Sequence, residues 1–417
     1  MESSVSAMGS ENKKYSTAIS GSGILIASYD LAAISIALLV LTKQWNLDGA
    51  QTSLLGSSAL IGAIIGGVSA GLLADRFGRK LLLIIDFITY IVASIGSAVA
   101  PDYTWLVTFR FIVGIGIGAD FAVIFPYLAE TRPVESRGRS MAIVMLAANF
   151  GMVIAYGLGG AFLLLGPYGW RLVLATGGFI AIPMLMLRSR LSESGPWVKK
   201  RTKSLRKIVK SFDKNDRKKV TFTSLAWLSY QVSDQGLSLF LPIILLTTLN
   251  LGDSESAFGS LLVKAVTIPA AVLTVYFIER VGRKKLQTVG FLGRALPLIA
   301  ISVLLIFFGT AYAWIEITML LIAYFFGAMG PDKTIVISPS EQFSTEKRGT
   351  GQGISESFGR VGGLIGVAGY GILSVTYGPW AGLLLFGGFA LFGFFITRLY
   401  MRETASALSG LQDDAEI

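Results

Sequence analysis

The chain has no cysteine and no histidine in its 417 residues. Without cysteine there is no disulfide, no thiolate nucleophile and no sulfur-ligated metal. Without histidine, most hydrolase and metal-site chemistry goes too, and proton handling must fall to Asp and Glu with help from Arg, Lys or Tyr. Charge is scarce as well: charged residues make up 15% of the chain against 53% hydrophobic ones, and the mean hydropathy is +0.64. So few charges cannot cover a soluble protein of this size, so the composition is that of a polytopic membrane protein. Acidic residues are outnumbered 26 to 36 by Lys and Arg, giving a formal net charge of +10. In a soluble protein that excess would raise nucleic acid as a partner; here its placement in loops argues against one.

What is present is a series of long apolar runs. They lie near 18–41, 52–74, 81–100, 104–128, 139–164 and 169–190, and again near 220–247, 256–279, 286–309, 315–338, 349–375 and 378–400. Each is long enough to cross a hydrocarbon core of roughly 30 Å as a helix, so twelve spans are expected. Arg76, Arg79, Lys80, Arg132, Arg137, Arg139, Arg280, Arg283, Lys284, Lys347 and Arg348 all fall in alternate loops. The positive-inside rule places those loops and both termini in the cytoplasm. Residues 1–17 are polar, carry Lys13 and Lys14 and lack a cleavage-site pattern, so they are expected as a cytoplasmic tail, with 401–417 as its counterpart. Residues 191–219 hold the densest basic cluster and separate 18–190 from 220–400. Within this linker Leu205, Ile208, Val209 and Phe212 recur at helical spacing among Lys and Arg, a pattern suited to a helix lying on anionic lipid.

Two short polar hinges interrupt the apolar pattern, Gly71–Lys80 (GLLADRFGRK) and Glu279–Lys285 (ERVGRKK). A second pair of segments repeats Glu, Arg and Gly at one spacing: Glu130 to Gly138 (ETRPVESRG) and Glu341 to Gly349 (EQFSTEKRG). The hinges resemble the loops between helices 2 and 3 and helices 8 and 9 of major facilitator superfamily transporters. The second pair resembles the E-x-x-P-x-x-x-R-G signature of that superfamily's sugar-porter-like members. Glu193-Ser194-Gly195-Pro196-Trp197 is similar to a degenerate form of their P-E-S-P-R-W element. The resemblance covers about 16–400 and implies two six-helix bundles that rock around a central solute site, in an all-α membrane protein that is a monomer. It also implies cytoplasmic charge networks that hold the inner gate shut: Asp75 with Arg79 and Arg137, Glu279 with Arg283 and Arg348, together with the repeat glutamates Glu130 and Glu341.

Ionisable residues inside spans are functional candidates, because inserting each costs about 2.5–3.5 kcal/mol without a partner. Asp30 lies about a dozen residues into the first span, about 18 Å along a helix and near the midplane. Ser28–Ser35 (SYDLAAIS) resembles the first-helix G-Y-D-x-A-V-I-S of proton-coupled sugar porters, which implies a coupling pair of Asp30 with Arg110. Gly114–Phe121 (GIGIGADF) resembles G-I-G-I-G-G-D-Y of phosphate:proton symporters. That likeness implies a solute site of Asp120, Asn149, Tyr230, Asp234, Asp332 and Lys333, to which Gln231 of the seventh-span polar cluster and the in-span cation Lys264 are added as candidates. Departures are visible: Phe121 replaces a Tyr, Tyr230 a Trp and Asp332 an Asn, and the tenth span has no sugar-stacking Trp. Lys264, Lys333, Arg294 and Arg360 put four cations within second-half spans. Arg294 reads equally as a structural cation, Lys264 as one half of a permanent ion pair, and Asp86 as a structural partner near the cytoplasmic end.

The expectation is a proton symporter in the cell membrane for a small anion such as phosphate or an organic carboxylate. The alternatives are a proton-coupled sugar transporter and, in another class, a solute sensor with a transporter fold. No nucleophile–base pair, nucleotide loop or metal cluster is visible, so neither an enzyme, a cofactor nor a metal is expected.

Overall fold

The computed structural model describes residues 2–199, 211–249 and 251–404. The first half is built from α1 (Glu2–Gln44), α2 (Gly49–Phe77), α3 (Arg79–Val99), α4 (Tyr103–Thr131), α5 (Arg137–Leu163) and α6 (Gly169–Arg188), followed by a short helix, α7 (Gly195–Lys199). The second half contains α8 (Lys214–Leu249), α9 (Asp253–Ala265), α10 (Thr267–Val281), α11 (Arg283–Phe308), α12 (Ala313–Met329), α13 (Pro331–Gln342), α14 (Arg348–Thr376) and α15 (Pro379–Tyr400). There is no strand among the described residues. Helix is the expected answer for apolar runs of this length, since in lipid every backbone polar group must be satisfied within its own segment.

Among the described residues, ten stretches are long and apolar enough to cross a membrane. One of them, Arg283–Gln342, has 60 residues, about 90 Å as a continuous helix and three times the hydrocarbon core. It turns back at Gly309 and so makes two crossings. The twelfth crossing is α8, whose hydropathy is lowered by Lys218, Lys219, Gln231, Asp234 and Gln235. Its solvated first turn is capped by Asp213, which accepts from the Asp216 amide at 2.7 Å. The Asp216 and Asn215 amides hold that carboxylate below the usual range.

Two spans expected as unbroken runs are interrupted. The eighth breaks at Val266 between α9 and α10, where Pro269 lacks an amide hydrogen, and the tenth at Gly330, where Pro331 opens α13. Both hinges turn on glycine: Gly78 has φ 110° and Gly282 φ 89°, values that side chains tolerate poorly. Within the first bundle, Gly62 and Gly66 lie against the α4 backbone at Phe111 and Ile115, while Gly114 and Gly118 lie against the α2 backbone at Ala59 and Ala63. This reciprocal small-residue contact brings α2 and α4 together. Between bundles, α2 packs along α14, and α5 packs against α9 and α10.

Of the linker residues read as a membrane-surface helix, Leu205, Ile208 and Val209 lie outside the described residues. Phe212 corrects that reading at its own position, because it packs on Phe343 at 6.0 Å and carries Lys347 over its ring.

Candidate transport site

The buried charges fall into groups held by different helices. In the first bundle Arg110 on α4 forms an ion pair with Asp30 on α1, and neither side chain is exposed. The guanidinium also donates to the Asp30 carbonyl at 3.3 Å. Tyr29 donates to the Val173 carbonyl at 2.8 Å and Tyr90 to that of Ile26 at 3.4 Å, tying α1 to α6 and α3. Desolvating both charges is tolerable only because they meet each other.

The second bundle holds a cluster around its two helix breaks. Arg294 on α11 pairs with Asp234 at 3.1 Å, donates to Ser233 at 2.8 Å and lies between the rings of Tyr230 and Tyr324. Lys264 occupies the last turn of α9, where the helix dipole favours a cation. It donates to Ser238 at 2.6 Å and sits 4.2 Å over the Tyr324 ring. Asp332 occupies the first turn of α13, where the dipole favours an anion, and pairs with Lys333. Lys333 is fully buried and donates to Asn149 of the other bundle at 2.7 Å. Tyr156 makes a second crossing bond, to the Ser238 carbonyl at 3.0 Å. Three cations, Lys264, Arg294 and Lys333, therefore face two carboxylates, Asp234 and Asp332, leaving one positive charge in surplus.

Asn149, Tyr230, Asp234, Lys264, Asp332 and Lys333 thus lie together in this structure. Gln231 is half-buried and takes no part in the ion pairs among the described residues. Asp120 is placed differently: its ion pair is with Arg188 at 2.7 Å, and the same nitrogen lies 3.5 Å from Asp86. Asp86 is therefore one of two carboxylates on a single arginine. Lys264 meets a serine hydroxyl and a tyrosine ring, in place of the permanent carboxylate partner considered from sequence. Arg360 donates to Glu356 at 2.6 Å and covers the Phe121 ring at 4.9 Å.

On the face carrying the basic loops, Arg79 bridges Asp75 at 2.7 Å and Glu130 at 2.9 Å. Asp75 reaches across the bundles, accepting from the amides of Gly349 at 3.2 Å and Thr350 at 2.8 Å and from the Thr350 hydroxyl at 2.7 Å. Arg283 pairs with Glu279 at 2.5 Å and Glu341 at 2.8 Å, while Glu279 accepts from the Arg139 amide at 2.9 Å. The grouping by halves expected from sequence is corrected in one respect. Arg348 of the second half pairs with Glu130 of the first at 3.5 Å, and Arg137 of the first half has Glu341 of the second as its leading acidic neighbour. The two repeats exchange partners because the E…RG segments meet at the bundle boundary. Glu193 caps α3 through the amides of Arg79 and Lys80 at 2.9 and 3.2 Å.

Sequence reading missed Arg188, Glu356 and Tyr324 as members of these networks. Arg188 was recoverable by the rule that found Arg110, since it follows Met186-Leu187 inside an apolar run. Glu356 stands four residues before Arg360, the spacing of a helical ion pair. Tyr324 had no local signal, being one aromatic in an apolar helix.

The family model described as "Sugar (and other) transporter" matches residues 14–408. The niacin transporter NiaP of Acinetobacter baylyi is 26% identical over 378 residues, covering 82% of this chain and 83% of that protein. The glucose transporter GlcP of Staphylococcus epidermidis is 28% identical over 374 residues, with the same coverage of 82% and 83%. Among solved structures, the proton:xylose symporter XylE bound to 6-bromo-6-deoxy-D-glucose superposes with a TM-score of 0.82 at 20% identity, covering 95% of this chain and 98% of that one. That likeness gives the fold, the major facilitator architecture of two helical bundles. With the helix count, the paired hinges and the family match in agreement, the chain belongs to the sugar (and other) transporter family and is a multi-pass secondary transporter, not an enzyme.

Proposed function

We propose that this transporter carries a small organic carboxylate into the cell together with protons, by alternating access. The observation that supports the solute class is the surplus positive charge among Lys264, Arg294 and Lys333 at the two helix breaks. A carboxylate entering there would take Lys333 from Asn149 and Lys264 from Ser238, replacing hydrogen bonds to neutral acceptors with charge-assisted ones. Tyr230 and Tyr324 offer aromatic faces beside the cations. Proton coupling falls to Asp30: protonation would release Arg110 and loosen α1 from α4. The basic face is the cytoplasmic one, both termini lie there, and the protein works as a monomer in the cell membrane. The Asp75, Arg79, Glu130, Arg137, Glu279, Arg283, Glu341 and Arg348 network is then the inner gate, shut in this conformation.

A sugar is the second reading, and the comparisons back it more than they back an anion. The family description begins with sugars, and two of the three proteins named above are a glucose transporter and a xylose symporter; the carboxylate reading has the niacin transporter on its side. Phosphate is the weaker anion, because Phe121 stands in place of a Tyr and supports Arg360. Competition for uptake in vesicles separates these solutes, and sustained uptake of any of them excludes a non-transporting sensor.

A further inference from the structure

Asp86 on α3, Asp120 on α4 and Arg188 at the end of α6 form a group apart from Asp30 and the central cations. All three are buried: Asp86 and Asp120 are each 3% exposed and Arg188 0%. Arg188 Nη1 approaches Asp120 at 2.7 Å and Asp86 at 3.5 Å, and its guanidinium stacks on Phe87 at 4.1 Å. The two carboxyl groups are neighbours. Two carboxylates on one guanidinium leave a net charge of −1 inside a membrane protein, where an uncompensated charge is expelled or neutralised. A second observation points to what neutralises it. Despite the short approach of Arg188, neither Asp120 oxygen receives a directed hydrogen bond among the described residues, and the group opens into a small cavity bounded by Gly23, Tyr90 and Gly116. Gly23 leaves the room, since a β-carbon there would strike Arg188 and Asp120.

We propose that the Asp86–Asp120–Arg188 cluster is a second proton-binding site, holding one exchangeable proton between its two carboxyls. Binding is a simple protonation of one carboxylate, which brings the trio to zero charge and supplies the missing donor between the two acids, as in other close carboxyl pairs. The charged and titratable groups that face it are Arg188 on α6, Tyr90 on α3, and the Asp30–Arg110 pair with Tyr29 on α1 and α4, which lies beyond Tyr90. Asp86 is seven residues into α3 from the basic face, whereas Asp30 is near the midplane, so the cluster lies between Asp30 and that face. That position suits release of protons toward the basic side.

The inference rests on the proton-coupled reading only for its use; the binding itself is measured without transport. Infrared difference spectra of the purified protein in lipid, titrated across pH in the Asp30→Asn background, are expected to keep a titrating carboxylic C=O band. The band should be lost when either Asp120→Asn or Asp86→Asn is added, since the one carboxylate left on Arg188 is already neutralised. Thermal unfolding of each variant checks that the fold survives. A titrating band indifferent to both substitutions in folded protein, or no band at all, overturns the site. Failure of proton-driven uptake with the band intact would instead sink the transport reading and leave this site standing.

Discussion

Asp75 joins the bundles at the basic face, so Asp75→Asn should open that face. Its Oδ2 takes two bonds from Thr350 and its Oδ1 one from Gly349, besides the pair with Arg79. An asparagine has one oxygen, so turning it toward Thr350 leaves its NH₂ facing the Arg79 and Gly349 donors. The opposite orientation sets it against Thr350. A charge-assisted hydrogen bond is worth about 1.5–3 kcal/mol, and losing about 2 kcal/mol that exists only in the closed arrangement shifts the equilibrium about 30-fold toward opening. The chain has no cysteine, so a single Ser357→Cys reports without background. Ser357 is 4% exposed and donates across the bundles to the Ile64 carbonyl at 2.9 Å. Labelling by an impermeant maleimide from the basic face is expected to accelerate about 30-fold when Asp75→Asn is added, up to the limit of full opening. An unchanged rate, or faster labelling from the opposite face, refutes the assignment of Asp75 to the closed gate.

Gly78→Ala should lower thermal stability, because φ is 110° and the new β-carbon would meet Glu193 and Trp197; the cost is about 1–3 kcal/mol, and an unaltered melting curve would contradict it. Lys333→Met should weaken carboxylate binding about 10- to 100-fold, as expected for losing about 1.5–3 kcal/mol of charge-assisted hydrogen bonding, measured by calorimetry; binding unchanged would remove Lys333 from the site. Lys43→Ala should leave uptake within about fivefold, since its pair with Asp253 has side chains 65% and 30% exposed and such pairs contribute about 0–1 kcal/mol.

Much of the fold was legible because lipid imposes one rule on every segment: apolar runs become helices, and positively charged loops mark one face. The two hinges could be paired across the halves because Asp75/Glu279 and Arg79/Arg283 share one offset. The Asp30–Arg110 pair was legible through the resemblance of Ser28–Ser35 to a first-helix motif, and the structure brings the two side chains together. Partner choice was not readable. Asp120 went to Arg188, and Arg348 to Glu130, because packing angles between helices decide which charges meet, and spacing along one helix does not contain those angles. The broken spans were hidden for a related reason: around Pro269 the run stays apolar, while at Gly330-Pro331-Asp332-Lys333 the charges pointed to a site and not to a break.

The measurement that bears most directly on coupled carboxylate transport is uptake into proteoliposomes of an organic carboxylate, phosphate and xylose, with and without an inward proton gradient, for wild type and Asp30→Asn. Gradient-driven accumulation of the carboxylate, lost in Asp30→Asn while counterflow persists, is the predicted result. Uptake of xylose alone, or accumulation equal in both proteins and indifferent to the gradient, would contradict it and return Asp30 and Arg110 to a structural ion pair.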